Sequence, residues 1–252
     1  MQITGSTRKK SLHIVYWKRA LCLFILASVT FIQASAQKEI YREDRDNVPY
    51  YFGLSLGFNS SYLHTEKHPQ FLQNDSVLSV EPGASGGIAL GLLATARLTK
   101  RFELRFHPEL ILGGSKYLTY QIKYPVPGLE PAMQKKTIPS TVVSFPLQMK
   151  FNSDRIQNFR VYMLGGFKYD IDVASTAGAL DAENLVKLKK SYIGYEAGIG
   201  FNFYFPVVTI APEIKFTNGL SNVHSRDPNL KYSSVLDQLQ SRMITFSLIF
   251  ER

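Results

Sequence analysis

Cysteine is all but missing from this chain. Its single copy, Cys22, lies near the start of an apolar run with no hydrophobic stretch ahead of it, a poor position for lipid attachment. Once the N-terminal segment is removed the protein has no thiol, which excludes a disulfide framework, a thiolate nucleophile and a thiolate metal site. Charged residues are sparse at 19%. Beyond Gln37 no apolar run is long enough to cross a bilayer as a helix, so a membrane-spanning mature chain must be a closed barrel. Gly83-Ala84-Ser85-Gly86-Gly87 lacks the lysine and following helix of a phosphate loop, so it reads as a turn.

The first residues differ from the rest. Arg8, Lys9, Lys10, Lys18 and Arg19 precede an apolar run from Ala20 to Ile32 that ends at Ala34-Ser35-Ala36. A basic start, a short apolar stretch and a small-x-small tripeptide make residues 1–36 a cleavable signal peptide, and the run is too short for a transmembrane helix. The segment carries five Lys/Arg and no Asp/Glu, so the formal charge of +9 falls to 9 − 5 = +4 on cleavage. The basic balance therefore gives no ground for nucleic-acid binding, and no basic cluster interleaved with aromatics occurs beyond Lys187 to Lys190. Residues 37–49, with Glu39, Arg42, Glu43, Asp44, Arg45 and Asp46, read as a short polar segment too small to fold alone. Residues 50–252 read as one domain.

Within that domain the pattern is a two-residue period. Phe102, Leu104, Phe106, Pro108 and Leu110 share one face, while Glu103, Arg105, His107 and Glu109 share the other. The same alternation recurs from Phe52 to Phe58, Ile88 to Leu92, Val143 to Met149, Val161 to Met163, Ile193 to Phe203, Ile210 to Phe216 and Ile244 to Phe250, which makes eight strands. A periplasmic sandwich could carry the same alternation with its apolar face inward. The connections favour a barrel. Short links at Thr99–Arg101, Asn152–Asn158 and Pro206–Val207 alternate with long ones at Ser61–Val80, Gly114–Ser140, Asp172–Ser191 and Asn218–Gln240. Export, an even strand count, alternating link lengths and aromatic strand ends together predict an all-β, antiparallel eight-stranded outer-membrane barrel. Its short turns and both termini would face the periplasm and its long loops the exterior.

The polar face predicts the interior. Arg97, Glu103, Arg105, His107, Glu109, Gln148, Lys150, Arg160, Lys168, Asp170, Glu196, Glu213 and Lys215 are of mixed sign and point inward, as do Gly53, Gly57, Gly91, Gly198 and Gly200. Eight strands enclose only enough space for side chains, so Arg97, Glu103, Arg105, His107, Glu109, Lys150, Arg160, Glu196, Glu213 and Lys215 are expected to pair into a structural salt-bridge network rather than line a channel. No catalytic residue, cofactor site or metal site is expected. His64-Thr-Glu-Lys-His68 has a metal-like spacing, but in a loop running into Pro69 rather than on a helix. His107 with Glu109 has no serine tied to it in sequence. Ile244, Phe246, Leu248 and Phe250 form a terminal strand like those read by the barrel-assembly machinery, with Glu251 and Arg252 running past its last aromatic.

Two stretches carry a more specific likeness. Ser79-Val-Glu-Pro-Gly-Ala-Ser-Gly-Gly-Ile-Ala-Leu-Gly-Leu-Leu93, continuing through Arg97-Leu-Thr and Phe102-Glu-Leu-Arg-Phe106, resembles the PorT (SprT) family of Bacteroidota outer-membrane barrels. Phe145-Pro-Leu-Gln-Met-Lys150, Ser153-Asp-Arg155, Asn158-Phe-Arg-Val-Tyr162, Gly165-Gly166 and Tyr169-Asp-Ile-Asp-Val-Ala-Ser175 are similar to it as well. The resemblance implies a non-enzymatic part of the type IX (Por) apparatus, which exports proteins bearing a C-terminal signal domain and in some species serves gliding motility. The implied partners are membrane lipid and other components of that apparatus. A barrel too narrow for folded cargo would act there as an accessory or assembly subunit. The competing expectation is a stand-alone structural or adhesive barrel whose loops bind a ligand.

Overall fold

Antiparallel pairing runs unbroken around a ring. The computed structural model describes residues 39–69, 71, 77–113, 115–125, 131–174, 188–225 and 231–252. The chain divides into two compact units, Met1–Ile40 and Tyr41–Arg252, and the second carries the fold. The expected export segment, residues 1–36 with Cys22, lies outside the described residues.

Among the described residues, nine strands join into the ring: β1 (Tyr50–Lys67), β3 (Ser85–Arg97), β4 (Phe102–Phe106), β5 (Glu109–Leu112), β8 (Val142–Asn152), β9 (Phe159–Asp172), β10 (Ser191–Tyr204), β11 (Thr209–Gly219) and β12 (Leu236–Glu251). β1 pairs with β3 on one side and β12 on the other, which closes the sheet. β4 and β5 are halves of one strand: both pair with β3 and β8, and the gap falls at His107-Pro108. Pro108 has no N–H to give β3, and Pro146, beside His107 on β8, has none either, so the ladder loses a bond on each side. The result is a barrel of eight strands.

The polarity of this barrel is inverted relative to a water-soluble one. Phe52, Leu54, Leu56 and Phe58 on β1 and Ile244, Phe246 and Phe250 on β12 are 38–63% exposed on the outer wall, while Ser55, Asn59, Thr245 and Ser247 are buried within. The wall suits lipid surroundings, because each Phe or Leu facing hydrocarbon instead of water gains about 1.5–3 kcal/mol. This observation separates the membrane barrel from the sandwich.

At the long-loop end the inversion stops. β1 spans 18 residues and β12 spans 16, against the 9–11 that cross a membrane as tilted strand. Beyond Phe58 the outward phase of β1 turns to Ser60, Tyr62, His64 and Glu66, while the inward phase acquires Leu63. β12 does the same, with Gln238, Gln240 and Arg242 outward and Leu239 inward. A second sheet adjoins this region, formed by β2 (Val77–Gly83), β6 (Lys116–Ile122) and β7 (Met133–Ile138) in the order β2-β6-β7. β2 and β6 prolong β3 and β5 in register, with Gly83 opposite Tyr117 as Ile88 is opposite Leu112. The inner face of this sheet joins Leu63, Tyr232, Leu236 and Leu239 in an apolar core that also takes Val80, Leu118 and Tyr120.

These strands correct the sequence reading in two places. The links 61–80, 114–140 and 218–240 are partly ladder, not loop, and Gly83–Gly87 is strand with one unpaired residue, Ala84, rather than a turn. His64 also lies on strand, and four strand residues set it about 13 Å from His68 along the chain. Most of the third long link, residues 175–187, lies outside the described residues.

Candidate functional site

Because neighbouring strands place every second side chain inward, the lumen is filled in layers. Toward the short-turn end Arg97 holds Glu103 at 3.0 Å, and the Tyr51 hydroxyl donates to the same carboxylate at 2.7 Å. Lys150 stands 3.6 Å from Glu103 and 3.9 Å from Glu251, over the Tyr162 ring. Arg105, fully buried, reaches Glu213 at 2.8 Å and Glu251 at 3.2 Å, while the Tyr162 hydroxyl donates to Glu213 at 2.6 Å.

The middle layer centres on His107. Its Nε2 shares a 2.7 Å hydrogen bond with Ser55, and its Nδ1 stands 3.3 Å from Glu109. Lys215 donates to Glu109 at 2.6 Å. Gln148 donates to Glu196 across the same layer. Gly91 leaves room for this group: a Cβ there would stand 2.7 Å from His107 Nε2 and 2.5 Å from Ser55 Oγ. Above it Lys168 pairs with Asp170 at 2.8 Å, Ser144 donates to Asp170, and Ser140 donates to Asp172.

Of the residues predicted to interact, Arg97, Glu103, Arg105, Glu109, Lys150, Glu213 and Lys215 make ion pairs inside the barrel, and His107 lies against Glu109 at 3.3 Å. Glu196 is present as a hydrogen-bond acceptor. Arg160 turns elsewhere, to Asp46 at 2.9 Å. Ile244, Phe246, Leu248 and Phe250 occupy the outward face of β12, with Leu248 half-buried.

Arg160 and Asp46 belong to a structure that sequence patterning missed, a cap over the short-turn mouth. A single 3-10 turn, Glu43–Asp46, places Arg45 inward, 5% exposed. Arg45 pairs with Glu251 at 3.1 Å, donates to the Arg252 carbonyl at 2.8 Å and lies over the Tyr51 ring. Arg97 donates to the Arg45 carbonyl, Arg155 to the Tyr41 and Arg42 carbonyls, and Asn158 accepts from the Tyr41 amide. The residues read as a free polar segment are thus fixed to the barrel from Tyr41 onward. Glu251 could have been found by parity, because it continues the inward phase of β12 beyond Phe250. Arg45 could not, since no periodic pattern surrounds it.

Burial also governs a lysine of the sheet beyond the barrel. Lys116, in β6, donates to Ser241 at 3.0 Å and borders a cavity of about 20 Å³ with Lys168, Asp170 and Tyr192. Desolvation pushes its pKa down to about 8, against the pull of Asp172 and Asp170. Among the described residues no group of three His, Cys, Asp or Glu is placed to hold a metal.

A family model described as "Outer membrane protein beta-barrel domain" matches residues 36–225. Among solved structures, Neisserial surface protein A is 12% identical, covering 79% of this chain and 95% of its own, with a TM-score of 0.40. The outer membrane protein OprG of Pseudomonas aeruginosa is 12% identical over 79% of this chain and 92% of its own, TM-score 0.38. Ail, the attachment invasion locus protein of Yersinia pestis, solved in complex with the heparin analogue sucrose octasulfate, is 9% identical over 81% of this chain and 100% of its own, TM-score 0.37. No curated protein matches the chain.

Proposed function

Given that the chain belongs to the outer membrane protein β-barrel domain family, we propose that it is a non-enzymatic, non-conducting barrel that serves the type IX protein secretion system as an accessory or assembly subunit. The observation that carries the first half is the filled lumen. From Arg45 through Arg105, Glu213, Glu109 and Lys215 to Lys168, charged side chains meet across the interior. Opening such a path would strand buried charges, at about 3–5 kcal/mol for each broken pair. A barrel closed in this way acts through its surfaces. The second half is supported by the PorT-like strings, which fall mainly on β2 and β3 and on β8 and β9 and include the Ser153–Asn158 turn.

In this reading residues 1–36 are cleaved on export, Tyr41 to Asn47 cap the periplasmic mouth, and the barrel domain follows to residue 252. Both termini and the short turns face the periplasm, and β2, β6 and β7 stand outside the cell. Deleting the gene and fractionating the culture tests the role. Proteins with the type IX C-terminal signal should be retained in the periplasm and released again on complementation. Normal export would remove the secretion role.

A second reading has its own support. The β2-β6-β7 sheet carries an apolar core beyond the barrel wall, so the long-loop end offers a folded platform to a ligand. A stand-alone barrel binding through that platform would leave export normal and lose its phenotype on loop exchange alone.

A further inference from the structure

A guanidinium stands on the lipid-facing wall without a counter-charge. Along β8 to β11, and from Gln238 to Phe250 on β12, the outward phase carries one charged side chain among the described residues, Arg242. The next outward positions down β12 are Ile244 and Phe246, both exposed on the wall. The Arg242 side chain makes one hydrogen bond, from Nε to Asn218 Oδ1 at 3.0 Å, and no ion pair with any described carboxylate. A cation so placed on a lipid-facing strand is costly unless something outside the protein answers it.

The ladder register aims the guanidinium. Tyr195, Asn218 and Arg242 are successive cross-strand partners on β10, β11 and β12. An arginine Nε only donates, so the Asn218 amide must turn its oxygen to Arg242 and its NH2 to the Tyr195 hydroxyl, which it meets at 3.1 Å. That hydroxyl, having accepted, keeps its own proton for another acceptor. The row therefore offers donors only, the two Nη groups of Arg242 and the Tyr195 O–H. β10 and β12 are two strand spacings apart, about 10 Å, and both side chains lean onto Asn218 between them, so one anion with several oxygens can accept from both. A phosphate has the oxygens and the charge, and the arginine fork matches it.

Position supplies the rest of the ligand. β12 leaves its apolar phase at Arg242, with Ile244 on one side and Gln240 and Gln238 on the other. On β11 the outward residues before and after Asn218 are Phe216 and Leu220, each 54% exposed. The donors thus lie at the border of wall and water, against a strip that takes hydrocarbon. A free anion gains nothing from Phe216, Leu220 and Ile244, whereas a phosphate that carries acyl chains meets all three. We propose that Arg242, Asn218 and Tyr195 bind the phosphate of a lipid headgroup at the long-loop border of the wall, with the acyl chains lying along Ile244 and Phe246. The site depends on the membrane barrel alone and not on the secretion role.

The test follows lipid at the site by fluorescence. Trp17 is the sole tryptophan and lies in the segment expected to be cleaved, so Ser60→Trp, at an exposed position opposite Ile244, gives the mature barrel a unique indole. The protein is reconstituted at high lipid excess in phosphatidylcholine vesicles holding a minor share of phosphatidic acid with brominated chains. Quenching should report phosphatidic acid enriched around the indole by roughly tenfold over its bulk share, the worth of one hydrogen-bonded charge contact. Arg242→Gln should abolish the enrichment while keeping the mobility shift between unheated and boiled samples that reports a folded wall. Arg242→Lys keeps the charge without the fork, and Tyr195→Phe removes only the hydroxyl; each should lower the enrichment severalfold, whether or not the Gln variant folds. No enrichment in the parent barrel, or an enrichment that none of the variants lowers, overturns the proposal. Brominated diacylglycerol, with the same chains and no phosphate, should not be enriched; equal quenching by it would assign the effect to the chains and remove the site. Inorganic phosphate in the buffer should leave the enrichment unchanged, and displacement by it would make the ligand a soluble anion and overturn the lipid assignment.

Discussion

Arg105 and Glu251 meet at 3.2 Å across the lumen, although 146 residues separate them in the chain. Glu251 is the last strand residue of β12, and it also takes Arg45 and stands near Lys150. The overrun past the terminal aromatic is therefore structural. Phe250 faces lipid, and Glu251 ties the closing strand to β4 and the cap. Glu251→Ala should leave positive charge buried without its carboxylate and destabilise the barrel by about 3–5 kcal/mol. The midpoint of the heat-dependent mobility shift in detergent measures this, and an unchanged midpoint would show that the pairs contribute little.

The cap makes its own prediction. Arg160 and Asp46 are 2.9 Å apart, and Arg45 behind them is nearly inaccessible. Asp46→Asn should loosen the 3-10 turn and let trypsin cut after Arg42 or Arg45 in the folded barrel, where the wild type resists. Equal cleavage of both would mean that the other hydrogen bonds of the cap suffice to hold it.

Lys116 yields a pH dependence with a defined sign. Its folded pKa of about 8 lies below the ordinary lysine value of 10.5, so between these two the unfolded chain binds a proton that the folded chain does not. Stability of the β2-β6-β7 region should therefore rise with pH across that window, by at most about 3 kcal/mol, and be lowest below pH 8, where a buried ammonium must be kept beside Lys168. Lys116→Met should flatten the profile. Hydrogen exchange at the β6 amides, corrected for the intrinsic pH dependence of exchange, reads it directly.

Space inside the middle layer is equally testable. A Cβ at position 91 meets His107 and Ser55 at contact distances that real side chains do not show. Gly91→Val should cost about 1–3 kcal/mol by overpacking. If His107 can swing aside, the melting midpoint will scarcely change.

How far these features were legible differs along the chain. Parity placed Glu103, Arg105, His107 and Glu109 on the polar face of one strand, and that strand is where they lie, inside the barrel. Parity could not show that the strand breaks at His107-Pro108, because a proline still fits a two-residue period while removing the N–H that the ladder needs. The lengths of β1 and β12 were hidden for a different reason. Past Phe58 and Ile244 the two faces exchange character, so a search for one apolar phase ends where the phase switches, not where the strand ends. β6 and β7 were hidden by Pro125, Pro131 and Pro139 of the 114–140 link, which sit beside the strands rather than in them. The cap was illegible altogether: Arg45 owes its burial to Glu251 and Arg252, more than two hundred residues away.

The exchange of faces along β1 and β12 also acts as a depth gauge. Raising the barrel by two residues would lift Phe58 and Ile244 out of hydrocarbon; lowering it would sink Tyr62 and Arg242. The chain therefore records one bilayer thickness in the spacing of its side chains. Where the surrounding membrane is thicker or thinner, the lipid must deform to meet the protein, at fractions of a kcal/mol per Å. Such a barrel will draw lipids of matching length around itself, and so set the local thickness for any neighbour that shares its patch of membrane.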